Sequence, residues 1–176
     1  MTASWPIPIK AILSIPAGVG LVYPLFHPEL QGGILNELKL LGPAGAAVAV
    51  VVFLLLVVIY TRDLAKSLRL VSRSSRKAAP RSVWLMFLIP YNFIEDFFIV
   101  SNVASSLRAE ATSNPALAKF KSFGMISGLG WCAAQIVSLA PNAVGSVAGA
   151  IAIPLWIWHW SFVRRANSSL RGSLAS

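Results

Sequence analysis

Only six acids, two histidines and one cysteine occur in the 176 residues, and each scarcity excludes something. A single thiol makes neither an internal disulfide nor a zinc site. Cys132 lies in an apolar run and is expected to be a small buried hydrophobe. His27 and His159 are too few and too far apart in sequence to suggest a metal site. His159 stands among tryptophans and reads as an interfacial residue of an aromatic belt, although imidazole is also a common axial ligand of haem. No nucleophile elbow, phosphate loop, zinc motif or Ser/His/Asp set is present. No catalytic residue, metal or cofactor is therefore expected.

Charge is scarce as well. Charged residues make up 12% of the chain and hydrophobic ones 56%, with a mean hydropathy of +0.71, whereas a soluble domain carries roughly a quarter charged residues. One core of this size cannot hide so much apolar surface, so lipid must solvate much of it. The net charge of +9 comes from 15 Lys and Arg. These residues sit beside apolar spans rather than on an independent domain, which argues for cytoplasmic loops and against a nucleic-acid partner. The start, MTASWPIPIK, lacks the basic stretch and cleavage site of a signal peptide. The first hydrophobic segment is expected to stay in the mature protein.

Four spans are predicted, over about 6–26, 41–61, 120–140 and 143–164. Pro16 should kink the first, where Lys10 is the only charge. The second is uncharged and rich in Val and Leu, and its helix is expected to continue past the membrane. There Arg62, Lys66, Arg69 and Arg73 recur at four- and three-residue spacing, a face suited to anionic lipid headgroups. The loop 62–81 holds seven basic residues and one acid, Asp63, which places it in the cytoplasm. No residue from Ser122 to Val163 is charged apart from possible protonation of His159. As one helix this stretch would be roughly twice as long as a bilayer core of about 30 Å, so a hairpin turning at Pro141-Asn142 is expected. Gly124 and Gly128, and Gly145 and Gly149, have the spacing of helix-packing faces. Folding about Pro141 would set Gly145 near Ser138 and Gly149 near Ala134.

The segment 84–108 decides the topology. Ser82–Ile94 is uncharged but too short to span. Glu95 and Asp96 follow, and a carboxylate at mid-bilayer costs about 2.5–3.5 kcal/mol. From Phe93 the pattern turns amphipathic, which suits an interfacial helix. If this segment spans, the basic loop after it and the basic C-terminus both fall outside; if it is re-entrant or interfacial, every basic region lies inside. The prediction is an all-α integral membrane protein with four transmembrane helices and one re-entrant or interfacial segment, both termini cytoplasmic. Five transmembrane helices, with Glu95 and Asp96 buried, is the rival. Glu95, Asp96, Asn92 and Lys10 form the candidate polar or ion site, Lys10 being the partner in the five-span case.

The run Trp84…Pro90-Tyr91-Asn92 before an amphipathic helix, and the closing Arg164-Arg165-Ala166-Asn167-Ser168-Ser169-Leu170, resemble small uncharacterised bacterial multi-pass membrane families. The resemblance implies a bacterial inner-membrane architecture and carries no catalytic residue. Asn167-Ser168-Ser169 fits a glycosylation sequon and is read as chance. The function expected first is a non-enzymatic accessory or scaffold subunit packing against partner helices or a second copy. A small transporter or channel component using Glu95 or Asp96 is the alternative, and a lipid-acting enzyme a weaker third.

Overall fold

The computed structural model describes residues 6–27, 29 and 32–175, with the backbone alone at 34–36 and 174–175. It is all-helical, with no strand among the described residues. The helices are α1 (Ile7–Phe26), α2 (Ile34–Lys39), α3 (Gly42–Leu70), α4 (Asn92–Glu110), α5 (Met125–Val137) and α6 (Ala143–Ala175); 3-10 turns cover Pro80–Phe87 and Pro115–Leu117. Prolines near the starts of α1 and α3 cost no hydrogen bond there. Three helices are long and apolar enough to cross a membrane: α1, α3 and the Ala143–Ser173 part of α6.

One predicted span continues past its end as expected, one is longer than expected and one is shorter. The helix expected over 41–61 runs on to Leu70 and carries Arg62, Lys66 and Arg69 with it. Arg73 lies beyond its end, so the four cations do not share one helical face. The helix expected over 143–164 continues unbroken through Pro154 to Ala175. By contrast, the span expected over 120–140 is helical for only 13 residues, about 20 Å against a bilayer core of about 30 Å. Its start is set by Phe123 and Gly124, at φ 51° and 76°, which break any helix arriving from the N-terminal side. Gly124 answers this need, because a Cβ there would also strike the Phe162 ring.

The segment after α3 doubles back on itself. The 3-10 turn Pro80–Phe87 climbs beside α3 until Thr61 Oγ1 donates to Met86 Sδ at 3.4 Å. The chain turns at Leu88–Tyr91, exposing Leu88 and Ile89, and α4 returns. At its far end Glu110 Oε2 accepts from the Ser72 amide (2.9 Å) and hydroxyl (2.7 Å), while Ser106 Oγ accepts from the Lys77 amide at 2.9 Å. The beginning and end of the excursion therefore lie at the same end of the bundle. Asn114 Nδ2 donates to Ser173 Oγ at 3.4 Å, which brings the C-terminal segment to that end too. At the opposite end the Gly33 amide donates to Ser146 Oγ, and that hydroxyl to Glu37 Oε1, both at 3.0 Å. A Cβ on Gly32 or Gly33 would run into the backbone of Asn142 or Ala140, so the loop after α1 and the Pro141 turn are packed backbone to backbone.

α4 packs into the core of the bundle. Of Glu95, Asn102, Ser105 and Ser106, expected to gather on one polar side, Glu95 and Ser106 are buried at 6% and 0% exposure and Asn102 and Ser105 are half-buried; Asp96 is buried as well, at 2%. The apolar residues Ile99, Val100, Val103, Ala104 and Leu107 join Tyr60, Leu64 and Leu68 of α3 and Val163, Ala166 and Leu170 of α6 in one core.

Burial raises the Glu110 carboxyl, but the hydrogen bonds from Ser72, with help from Ser75 and Asn114, outweigh it and hold the group below its ordinary value of 4.5. A depressed native pKa stabilises the joint fully above that value and releases it as pH falls through the lower one. Corrected hydrogen exchange of the 72–77 amides should therefore stay slow above pH 4.5 and quicken only as pH falls below it. In Glu110→Gln that acid-dependent step should vanish, and its persistence would assign the transition to another group.

Candidate functional site

The two acids of α4 stand one residue apart, so they lie about 100° apart around the helix and cannot face one neighbour. Glu95 turns to α1, where Lys10 Nζ donates to Oε2 at 2.7 Å, with both side chains 8% exposed. The Lys10 ammonium also sits 4.0 Å from the Phe98 ring centroid. Lys10 therefore pairs with Glu95 although α4 doubles back, so the contact does not require a fifth span. Asp96 turns instead to α5, and its Oδ2 accepts from Gln135 Nε2 at 2.9 Å. Asp96 Oδ1 and Asn92 Oδ1 are buried without a hydrogen-bond partner. Chemically this is one neutralised ion pair beside a hydrogen-bonded carboxylate that retains acceptor capacity. Among the described residues no three His, Cys, Asp or Glu gather in a way that could hold a metal ion.

The paired glycines lie at close contacts, with partners other than those expected for some of them. Gly124 caps α5 from outside the helix, so it forms no continuous face with Gly128. A Cβ on Gly128 would meet Val100 of α4 and two ring atoms of His159 of α6, each of the latter at 3.1 Å. That glycine lets three helices converge. Gly145 faces the Ala140 carbonyl rather than Ser138, and Gly149 faces Ser138 rather than Ala134, because the turn at Pro141 is tighter than a simple fold-over assumes. Gly128→Ala should destabilise by about 1–3 kcal/mol through overpacking, and Val100→Ala in the same chain should recover part of the loss. Thermal unfolding in detergent checks this, and a neutral Gly128→Ala would mean the helices stand further apart.

The belt expected from Trp156, Trp158, Trp160 and His159 is mostly turned inward. Trp158 is 54% exposed, but Trp156 and His159 are buried at 7% and 1%. They surround Tyr60, whose ring meets Trp131, Trp156, His159 and Trp160 edge to face at centroid distances of 5.6–6.0 Å. Tyr60 Oη lies 3.4 Å from His159 Nδ1. Cys132 is fully buried in the same core.

A second polar knot went unread in the sequence. Asn167 is 3% exposed; its Nδ2 donates to the Asp63 carbonyl at 2.9 Å and its Oδ1 accepts from Ser67 Oγ at 2.7 Å. Trp160 Nε1 donates to Asp63 Oδ2 at 2.7 Å, and Arg164 Nε lies 3.8 Å from the same oxygen. The sequon residue is thus a rivet between α3 and α6. Val163, Ala166, Asn167 and Leu170 occupy one buried stripe, and that spacing was the available signal.

No protein-family model, curated protein or solved structure matches the chain.

Proposed function

We propose that the chain is a small, non-enzymatic, multi-pass protein of a bacterial inner membrane, an accessory or scaffold subunit that packs against partner helices or a second copy. The observation that carries this reading is the outer half of α3. Val48, Val51, Val52, Phe53 and Leu55 are all exposed, and a helix apolar on every side belongs in lipid or protein. The buried polar groups support the same reading, since they are spent on joining helices: Lys10 to Glu95, Asp96 to Gln135, Tyr60 to His159, and Asn167 to Ser67. Such bonds are the ordinary glue of membrane bundles.

In this reading α1, α3, α5 with its flanking turns, and α6 make four crossings, and residues 80–110 enter and leave on one side. The connections 62–81 and 108–121 and the tail with Arg164, Arg165 and Arg171 share that basic, cytoplasmic end, where Arg62 and Arg69 face anionic headgroups. A tag within 111–118 should report from the cytoplasm; a tag read from the other compartment would end this layout. Purification in mild detergent should yield a stable assembly larger than one chain, and a solitary monomer under all mild conditions would count against the scaffold.

A transporter or channel role is favoured by one observation, the unpartnered acceptors of Asp96 and Asn92. Flux into proteoliposomes that is unchanged by Asp96→Asn and by Glu95→Gln would remove these residues from any path.

A further inference from the structure

Two adjoining clefts at the basic end share Lys119, Phe120 and Arg165 as walls. One continues past Lys121 and Ser122 to Trp158 and Phe162, and the other reaches Ser168 and Ser169. The geometry points to a binding site here for the headgroup of an anionic phospholipid, with its acyl chains lying against α5 and α6. The inference rests on the membrane placement proposed above and adds a discrete site to it, separate from the Arg62–Arg69 face.

Charge argues first. Each of the six acids is held somewhere else: Glu29 by His27, Glu37 by Ser146, Asp63 by Trp160 and Arg164, Glu95 by Lys10, Asp96 by Gln135, and Glu110 by Ser72. None of them lines either cleft. Three cations thus line concave surface with no carboxylate among the described residues against them, and a phosphodiester supplies the missing charge. The guanidinium suits a phosphate by its forked donors, and the two ammonium groups act as point charges. Arg165 Nε donates to the Ser161 carbonyl at 3.3 Å, which holds its stem along α6. Hydroxyls of Ser122, Ser168 and Ser169 at the rim can donate to phosphate or glycerol oxygens.

Shape and polarity argue second. The cleft passes from these cations to the exposed Trp158, and Ile126 on α5 is 70% exposed. A tryptophan at such a boundary sits at headgroup level. A free phosphate ester would fill the basic end but has nothing to lay along this apolar wall, whereas a phospholipid covers both.

The test uses the full chain in a neutral maltoside detergent at about 0.15 M salt, where exposed charges more than about 8 Å apart are largely screened. Dioctanoyl phosphatidylglycerol is titrated and its affinity measured by calorimetry. A basic residue near an anionic surface contributes about a fivefold factor. The triple variant Lys119→Ala, Lys121→Ala, Arg165→Ala should therefore bind at least about tenfold more weakly. Lys39→Ala, Arg73→Ala, Arg81→Ala removes the same charge at exposed positions outside both clefts and should lose less than about threefold. If the first triple does not fold, Lys121→Ala and Arg165→Ala singly carry the test, each losing about three- to fivefold. Equal losses in both triples, or phosphatidylcholine binding as tightly as phosphatidylglycerol, would overturn the site. Glycerol phosphate competing as well as the lipid would overturn the choice of a lipid. Wild-type chain that will not enter vesicles is a different failure, since it sinks the membrane placement itself.

Discussion

Lys10→Met should lower the stability of the folded chain by about 3–5 kcal/mol, because it leaves the Glu95 carboxylate buried with its counter-charge removed. The pair is 8% exposed on both sides and bonded at 2.7 Å, so screening by water offers little relief. The pair itself is not necessarily worth that much: exchanging a buried ion pair for neutral groups of similar volume is often nearly free. The double variant Lys10→Met, Glu95→Gln should therefore recover most of the loss. Thermal unfolding in one detergent, with all three chains measured side by side, decides it. If Lys10→Met is no worse than the double variant, Glu95 is solvated in the folded state and the tie between α1 and α4 is of little consequence.

Tyr60→Ala should cost a similar amount, about 3–5 kcal/mol, since it removes a wholly buried ring and leaves a cavity walled by rings that cannot collapse together. Trp131 and Trp156 are stacked at 6.4 Å and Trp156 and Trp160 at 5.4 Å, each also leaning on Tyr60. For a chain of this length the loss corresponds to a fall in Tm of roughly 10 °C. Tyr60→Phe retains the ring and gives up only a long 3.4 Å contact with His159, so it should cost about 1 kcal/mol or less. Near-equal melting of Tyr60→Ala and wild type would show that the aromatic cluster is not the centre of the core. Fluorescence of Trp131, Trp156 and Trp160 should shift with the Ala variant in any case, because their common neighbour is gone.

The helical class and most apolar segments were legible because they depend on composition and on 3.6-residue periodicity, which are local properties. The extension of α3 was legible for the same reason: Leu64 and Leu68 recur on a face away from Arg62 and Lys66. The brevity of α5 was not. The left-handed step at Phe123–Gly124 depends on Gly124 meeting Phe162, nearly forty residues further along. The polar ties were hidden in the same way. Lys10 finds Glu95 85 residues away, and Asn167 finds Ser67 and Asp63 100 and 104 residues away, separations at which no pattern window operates. α4 misled for a subtler reason. A helix polar on part of its surface ordinarily turns that part to water, but here the polar residues face other polar groups inside the bundle. Amphipathicity reports that two faces differ, not what covers each of them.

A basic stretch between two helices is ordinarily where proteases that cut after Lys or Arg first find slack chain. The stretch following α3 offers little. The Arg76 guanidinium is turned back onto the carbonyls of Arg69 and Val71, and the amides of Ser72 and Lys77 are fastened to α4. Cleavage within this stretch would thus have to wait until it comes away from α4, so protease sensitivity at 72–77 reads how often that seam opens.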